Sequence, residues 1–181
     1  MQSAIGRVLI QMYRATSQQS YLTQVYQIAN FIKSNTFYNS DLQSNIWKYW
    51  KKNDLPEDVS HVGLTASFPY ECYKILYNKK SIYSYQEIQR YINTFMKDTV
   101  KSSLFMNGGV NDNVQYWDLK SNMKVGSLTF DSYICNRWLC LSGYDKKLFL
   151  LIVDIQNNKN YYTKLSTNDP LTIALLASSE I

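Results

Sequence analysis

The sequence has little of the residue types on which metal and nucleophilic sites are most often built. It contains one histidine, His61, and three cysteines, Cys72, Cys135 and Cys140, with no C-x-x-C spacing. A zinc site needs several nitrogen or sulfur ligands at short regular spacings, and a disulfide framework needs an even set of cysteines. The sequence therefore predicts no metal and no cofactor, and it favours a reducing, intracellular compartment.

Phosphate-binding loops and long apolar runs are also missing. Gly108-Gly109 is followed by no Lys-Ser/Thr pair, and no apolar run reaches the length of a membrane-spanning helix. A nucleophilic pair of Cys72 with His61 would require two side chains eleven residues apart to meet in space. We expect a packed cysteine and a loop histidine instead. The sequence thus gives catalysis no positive support, and an enzyme that uses this pair, or a carboxylate cluster with a metal, stays open as a third hypothesis.

Negative charge is absent from the N-terminal region. No acidic residue precedes Asp41, whereas Arg7, Arg14 and Lys33 lie in that stretch, and the net charge of the chain is +5. This asymmetry is typical of organellar presequences, so an organelle stays open beside the cytoplasm. We expect the segment to be an uncleaved amphipathic helix.

Apolar residues at helical spacing predict three N-terminal helices. The first stripe consists of Ile5, Val8, Leu9 and Met12. The second consists of Leu22, Val25, Ala29 and Ile32. A third helix is expected from Ser40 or Asp41, with Leu42, Ile46, Trp47 and Trp50 on its inner side.

Two further helices complete the predicted helical half. Val59–Thr65 is expected to be irregular or extended, and a helix follows from Ser67 with Pro69 in its first turn. Ser84-Tyr85-Gln86-Glu87 matches a capping box, which predicts the start of the last helix.

The C-terminal part has short apolar segments separated by polar turns, which predicts strands. They are Val114–Leu119, Val125–Phe130, Tyr133–Ser142, Lys147–Ile155 and Tyr161–Leu165, followed by a helical turn at Leu171–Leu176. The short connections require antiparallel neighbours. The predicted fold is therefore α+β: a helical region 1–107 of four to five helices packed on a meander of four to five strands in region 110–181, as one integrated domain.

The strand Lys147–Ile155 carries the first argument about function. It shows no alternation of apolar and polar residues, so both of its faces would need cover, one of them from a partner. Together with 16 tyrosines, this favours a non-enzymatic protein-interaction module or small adaptor subunit that binds a protein partner or a second copy. The aromatic residues expected to be exposed are Tyr13, Tyr38, Trp47, Tyr49 and Trp50.

Nucleic-acid binding is the alternative prediction. Basic residues alternate with aromatic ones in the segment of residues 47–52, and such a pattern suits stacking on bases beside phosphate contacts. The candidate residues are Trp47, Lys48, Trp50, Lys51, Lys52, Arg90 and Lys97. The basic residues form no long run, so the positive charge adds only slightly to this alternative.

Overall fold

The computed structural model describes residues 2–47, 59–76, 81–102, 105–107, 116–118, 123–124 and 137–157. Side chains are described for residues 2–47, 64–76, 81–97 and 138–153. Within these ranges the chain is mostly helical. The long helices are α1 (Gln2–Thr16), α2 (Gln19–Ser34), α3 (Val59–Leu76), α4 (Tyr85–Asn93) and α5 (Lys146–Asn157).

Shorter elements connect these helices. A π-helical segment, Thr94–Thr99, continues α4, and a 3-10 helix spans Arg137–Leu141. Strands β1 (Thr36–Asn39) and β2 (Ser44–Trp47) form an antiparallel hairpin. Strands β3 (Val100–Ser102), β4 (Phe105–Asn107), β5 (Tyr116–Asp118) and β6 (Met123–Lys124) pair antiparallel in chain order.

The core is built where the helices converge. Helix α1 packs on α2 and α3, α3 packs on the 3-10 helix, and α4 packs on β2. The rings of Phe95 and Trp138, both fully buried, lie 4.8 Å apart and join the π-helical segment to the 3-10 helix. The second predicted stripe is confirmed, because Leu22, Val25, Ala29 and Ile32 of α2 are all buried.

The predicted α+β fold with a C-terminal meander is wrong. The segment Lys147–Ile155, expected to be its central strand, lies within α5. Asp145 explains this: its side chain accepts a hydrogen bond from the Lys147 amide at 2.8 Å, and its carbonyl accepts one from Leu148 at 3.0 Å. It is therefore the N-cap of a helix, although the sequence analysis placed it in a turn between strands.

The first and third predicted strands of the meander have different outcomes in the structure. Residues 137–141 of the expected third strand form the 3-10 helix, and β5 lies within the first expected strand, Val114–Leu119. The segments Val125–Phe130, Tyr161–Leu165 and Leu171–Leu176 lie outside the described residues.

The expected third helix is wrong as well, because residues 36–47 form the hairpin. The Asn39 side chain accepts hydrogen bonds from the Asp41 and Leu42 amides at 3.0 and 3.3 Å, which closes a turn rather than capping a helix. Gln43 completes the turn with a φ of 52°, in the left-handed region. Strand-favouring residues on both sides then pair across the turn.

Helices α3 and α4 differ in how well the sequence predicted them. Helix α3 begins at Val59, so Val59–Thr65 is helical rather than extended and Pro69 lies inside the helix. At α4 the capping box is confirmed: the Ser84 hydroxyl accepts from the Glu87 amide at 3.2 Å, and the Glu87 carboxylate accepts from the Ser84 amide at 2.8 Å.

Candidate functional site

The most unusual surface of the described chain lies on α1. Its α1 outer face, as we define it, consists of Ala4, Ile5, Val8, Met12 and Ala15. Successive residues of a helix turn by about 100°, so these five lie within an arc of about 100°. Ile5, Val8 and Met12 are 50%, 59% and 37% exposed. Three of the four residues predicted to form the buried stripe of α1 are thus on the outside.

The opposite side of α1 is the packed one. Ser3, Gly6, Leu9 and Ile10 are buried, so this side of α1 brings two small residues to the core beside two large apolar ones, and Leu9 is the one buried member of the predicted stripe. Gly6 lies directly against Phe68 of α3, and a Cβ atom placed on it would be 2.5 Å from the Phe68 ring. The close approach fixes which side of α1 turns inward. The apolar outer face stays uncovered as a consequence.

A polar edge borders the α1 outer face. The Arg7 Nε donates to the Glu71 carboxylate at 2.6 Å, and the Gln11 side-chain amide donates to its other oxygen at 3.2 Å. A shallow groove runs along this edge, lined by Ala4, Arg7, Val8, Gln11, Met12, Ala15 and Glu71. The edge holds α1 against α3 and gives the apolar face a polar rim.

The residues predicted to bind nucleic acid are placed around the hairpin. Trp47 is buried and its ring centroid lies 5.4 Å from that of Tyr91, so its faces are used in packing. The Lys97 ammonium donates to the Leu42 carbonyl at 3.2 Å. The Arg90 guanidinium lies over the ring of Tyr38, 4.2 Å from its centroid.

The rest of that predicted surface lies outside the described residues, namely Lys48, Trp50, Lys51 and Lys52. Trp47 lies on the hairpin, and Arg90 and Lys97 lie on the helical elements that pack against it. Trp47 is buried, however, so it is not available for stacking on a base. Nucleic-acid binding by this segment stays a prediction.

The tyrosines described here serve mainly in packing. Of the aromatic residues predicted to be exposed, Tyr38 is 51% exposed, Tyr13 is half-buried and Trp47 is buried. The Tyr144 ring contacts three others, with centroids at 4.6 Å from Tyr85, 5.7 Å from Tyr73 and 6.5 Å from Tyr70. The Tyr144 hydroxyl also donates to the Tyr85 carbonyl at 2.9 Å. This cluster ties α3 and α4 to the turn before α5.

The structure does not bring a nucleophile and a base together in α3. His61 and Cys72 lie on this one helix, where eleven residues correspond to about 16 Å along the axis, beyond hydrogen-bond reach. Cys72 is fully buried, and this burial raises the pKa of its thiol. Among the described side chains, no three histidine, cysteine or carboxylate groups converge as a metal site would require.

Comparison of the chain with protein-family models, with curated proteins and with solved structures gave no match. In the described part of the chain, no helix combines the length and the apolar character needed to cross a membrane.

Proposed function

We propose that the protein is a non-enzymatic interaction module that binds a protein partner through the α1 outer face. The observation that carries the proposal is the exposure of Ile5, Val8 and Met12 on a helix whose other side is packed in the core. Single exposed apolar residues are ordinary on protein surfaces. Three on one arc of a fixed helix form a contiguous patch, and such patches mark interaction sites.

The spacing of these residues indicates how a partner would bind. Ile5, Val8 and Met12 stand at i, i+3 and i+7, which is the anchor pattern of a helix that lies in a partner's apolar groove. Fully burying one such side chain contributes about 1.5–3 kcal/mol. Burying the exposed half of three contributes roughly 2–4 kcal/mol before the costs of association.

The charge near this surface supports a partner with little or negative charge. Within residues 2–40, Arg7 and Lys33 are neutralised by Glu71 and Glu87, whereas Arg14 is exposed and has no ion pair among the described residues. No acidic residue lies in this stretch. A partner groove with an acidic residue at one end would match Arg14.

A photo-crosslinking residue at position 5, next to Val8 on the same face, tests the proposal in the native host. The captured protein is then purified and titrated against the unmodified chain, Val8→Asp and Thr23→Asp. We expect Val8→Asp to weaken binding at least about tenfold, because it places a charge in an apolar groove. Thr23, exposed on α2, is the control for adding a carboxylate, and Thr23→Asp should bind as the unmodified chain does.

Equal effects of the two substitutions would contradict the proposal. So would the absence of any specific crosslink. A crosslink to a second copy, with concentration-dependent sedimentation that Val8→Asp abolishes, would identify the partner as the protein itself.

A further inference from the structure

A second surface, distinct from α1, lies between the hairpin and α4. It is a cleft of about 140 Å³ lined by Lys33, Thr36, Tyr38, Asn45, Glu87 and Arg90, among others. A cavity of about 150 Å³ is known to hold a molecule as large as benzene. The cleft is therefore of a size to take a small ligand or one chemical group of a larger one.

Two of the charges that line the cleft cancel. The Lys33 ammonium lies 2.6 Å from the Glu87 carboxylate and also donates to the Ile82 carbonyl. Glu87 accepts further hydrogen bonds from the amide and hydroxyl of Ser84 at 2.8 and 3.0 Å. This pair is occupied with its own contacts, and it contributes no net charge.

Arg90 is the charge that remains. Its guanidinium carbon lies over the Tyr38 ring, 4.2 Å from the ring centroid, and a contact with the ring face is compatible with hydrogen bonds from the planar fork of N–H groups to a ligand. The salt bridges of the described residues are Arg7–Glu71 and Lys33–Glu87. Arg90 thus has no carboxylate partner among the described residues, and no hydrogen-bond acceptor there for its five N–H groups.

Asn45 provides the second unused polar group. It is only 6% exposed and lines the cleft from β2. Its backbone amide and carbonyl bond to the Thr94 hydroxyl at 3.1 and 2.6 Å. Its side-chain amide has no hydrogen-bond partner among the described residues. Among the described side chains the buried polar atom without a partner is the Trp138 indole nitrogen, so the Asn45 amide is not enclosed and opens onto the cleft, where a ligand can accept its hydrogen bond.

We propose that this cleft binds the carboxylate of a small molecule, held by two parallel hydrogen bonds from Arg90 and one from the Asn45 amide. The guanidinium edge matches a planar carboxylate in this way. The charges favour a carboxylate over a phosphate: Lys33, Arg90 and Glu87 sum to one positive charge, which a monoanion neutralises. A phosphate dianion would leave an excess negative charge beside Glu87. The site is independent of the α1 outer face.

Benzoate is the probe for the test, with benzamide as its uncharged analogue and inorganic phosphate as the competing anion. Each is titrated to about 20 mM into the ¹⁵N-labelled full chain, and the signals of the Arg90 Nε–H and the Asn45 side-chain amide are followed. We expect benzoate to saturate both signals with a Kd of about 1 mM or tighter. Benzamide and phosphate should bind at least about tenfold more weakly.

Two substitutions at Arg90 separate charge from geometry. Arg90→Gln and Arg90→Lys should each weaken benzoate binding about tenfold or more, the second because lysine lacks the planar fork. Arg14→Gln removes the same charge from an exposed site on α1 and should leave the Kd within about twofold. Asn45→Ala should weaken binding about threefold or more. The amide spectrum of each variant shows whether its fold is retained.

The proposal is overturned if benzoate does not saturate, if phosphate binds as tightly, or if Arg14→Gln and Arg90→Gln have the same effect. A Kd for benzoate that is no higher in Arg90→Lys than in the unmodified chain would overturn the bidentate geometry. A peptide with a free C-terminus that binds more than about tenfold tighter than benzoate would overturn the small-molecule assignment and identify a chain terminus as the ligand.

Discussion

Gly6 lies at the closest approach of α1 to α3, and its replacement by alanine tests how α1 is oriented. An added Cβ would lie 2.5, 2.8 and 2.9 Å from three carbons of the Phe68 ring. Phe68 is fully buried, so its ring can move only by displacing other core residues. Overpacking of this kind costs about 1–3 kcal/mol.

Helix propensity acts in the opposite direction. Alanine is about 0.5–1 kcal/mol better than glycine in a helix interior. We therefore expect Gly6→Ala to lower the free energy of unfolding by about 1–2 kcal/mol. With a urea dependence of about 2 kcal/mol per molar, the midpoint of urea unfolding should fall by about 0.5–1 M.

A double-mutant cycle with Phe68→Leu isolates the contact. The smaller side chain leaves room for the Cβ, so Gly6→Ala should cost less in the Phe68→Leu background by about 1 kcal/mol. A Gly6→Ala variant with a raised midpoint would refute the reasoning, because propensity would then have decided the outcome. Additive effects of the two substitutions would place the ring away from Gly6.

Two further predictions concern the start of α4. Burial would raise the pKa of Glu87, but hydrogen bonds from Lys33 and Ser84 and the Lys33 charge hold it below its ordinary value. The carboxylate therefore stabilises the fold above its unfolded pKa of about 4.3 and loses this effect as the pH falls through the folded pKa. The difference in unfolding free energy between the unmodified chain and Glu87→Gln should be largest near neutral pH and shrink below about pH 4, whereas a constant difference would contradict the ion pair. Ser84→Ala should lower the free energy of unfolding by about 1 kcal/mol in urea titrations, and Ser84→Thr, which keeps the cap, should not; equal losses in both would argue against the capping role.

The predictions from hydrophobic spacing and from the capping motif were correct for α2 and for the start of α4. In α2 the buried residues are the predicted ones, and at α4 the capping box has the expected hydrogen bonds. In α1 the same reasoning failed, because hydrophobic spacing counts large side chains only. Gly6 and Ser3 are buried there since small residues let two helices approach closely. Of the predicted stripe Leu9 is buried, and the other three residues lie outside.

The prediction of a strand at the apolar segment of α5 was wrong for a different reason. A short run of apolar residues does not distinguish a buried strand from a helix by its periodicity. Asp145 was the signal that could have decided it, since an aspartate before the run can be an N-cap. As a helix, the segment buries Leu148 and Ile152 and exposes Leu150 to 54%. Residues 147–155 therefore present no second sheet face that a partner would have to cover.

The candidate sites could be predicted only in part. Arg90 was predicted from its charge alone. Its contact with Tyr38 depends on the β1–β2 hairpin, where the sequence predicted the start of a helix. Asn45 was not named, because an asparagine in a polar segment gives no sign that it will be buried. Ile5, Val8 and Met12 of the α1 outer face were predicted as part of an apolar stripe, but they were expected to face the core and are exposed.

The hydroxyl of Thr94 has a consequence for how the chain assembles. It occupies both backbone groups of Asn45 on the outer edge of β2, and it lies 49 residues further along the chain. At synthesis rates of about 5–20 residues per second, roughly 2–10 s separate the emergence of the two residues from the ribosome. During that interval the hairpin has a bare edge, open to pairing with another strand. In the folded protein the Thr94 hydroxyl bonds both backbone groups of Asn45, so another strand can pair with them only before Thr94 has reached its place.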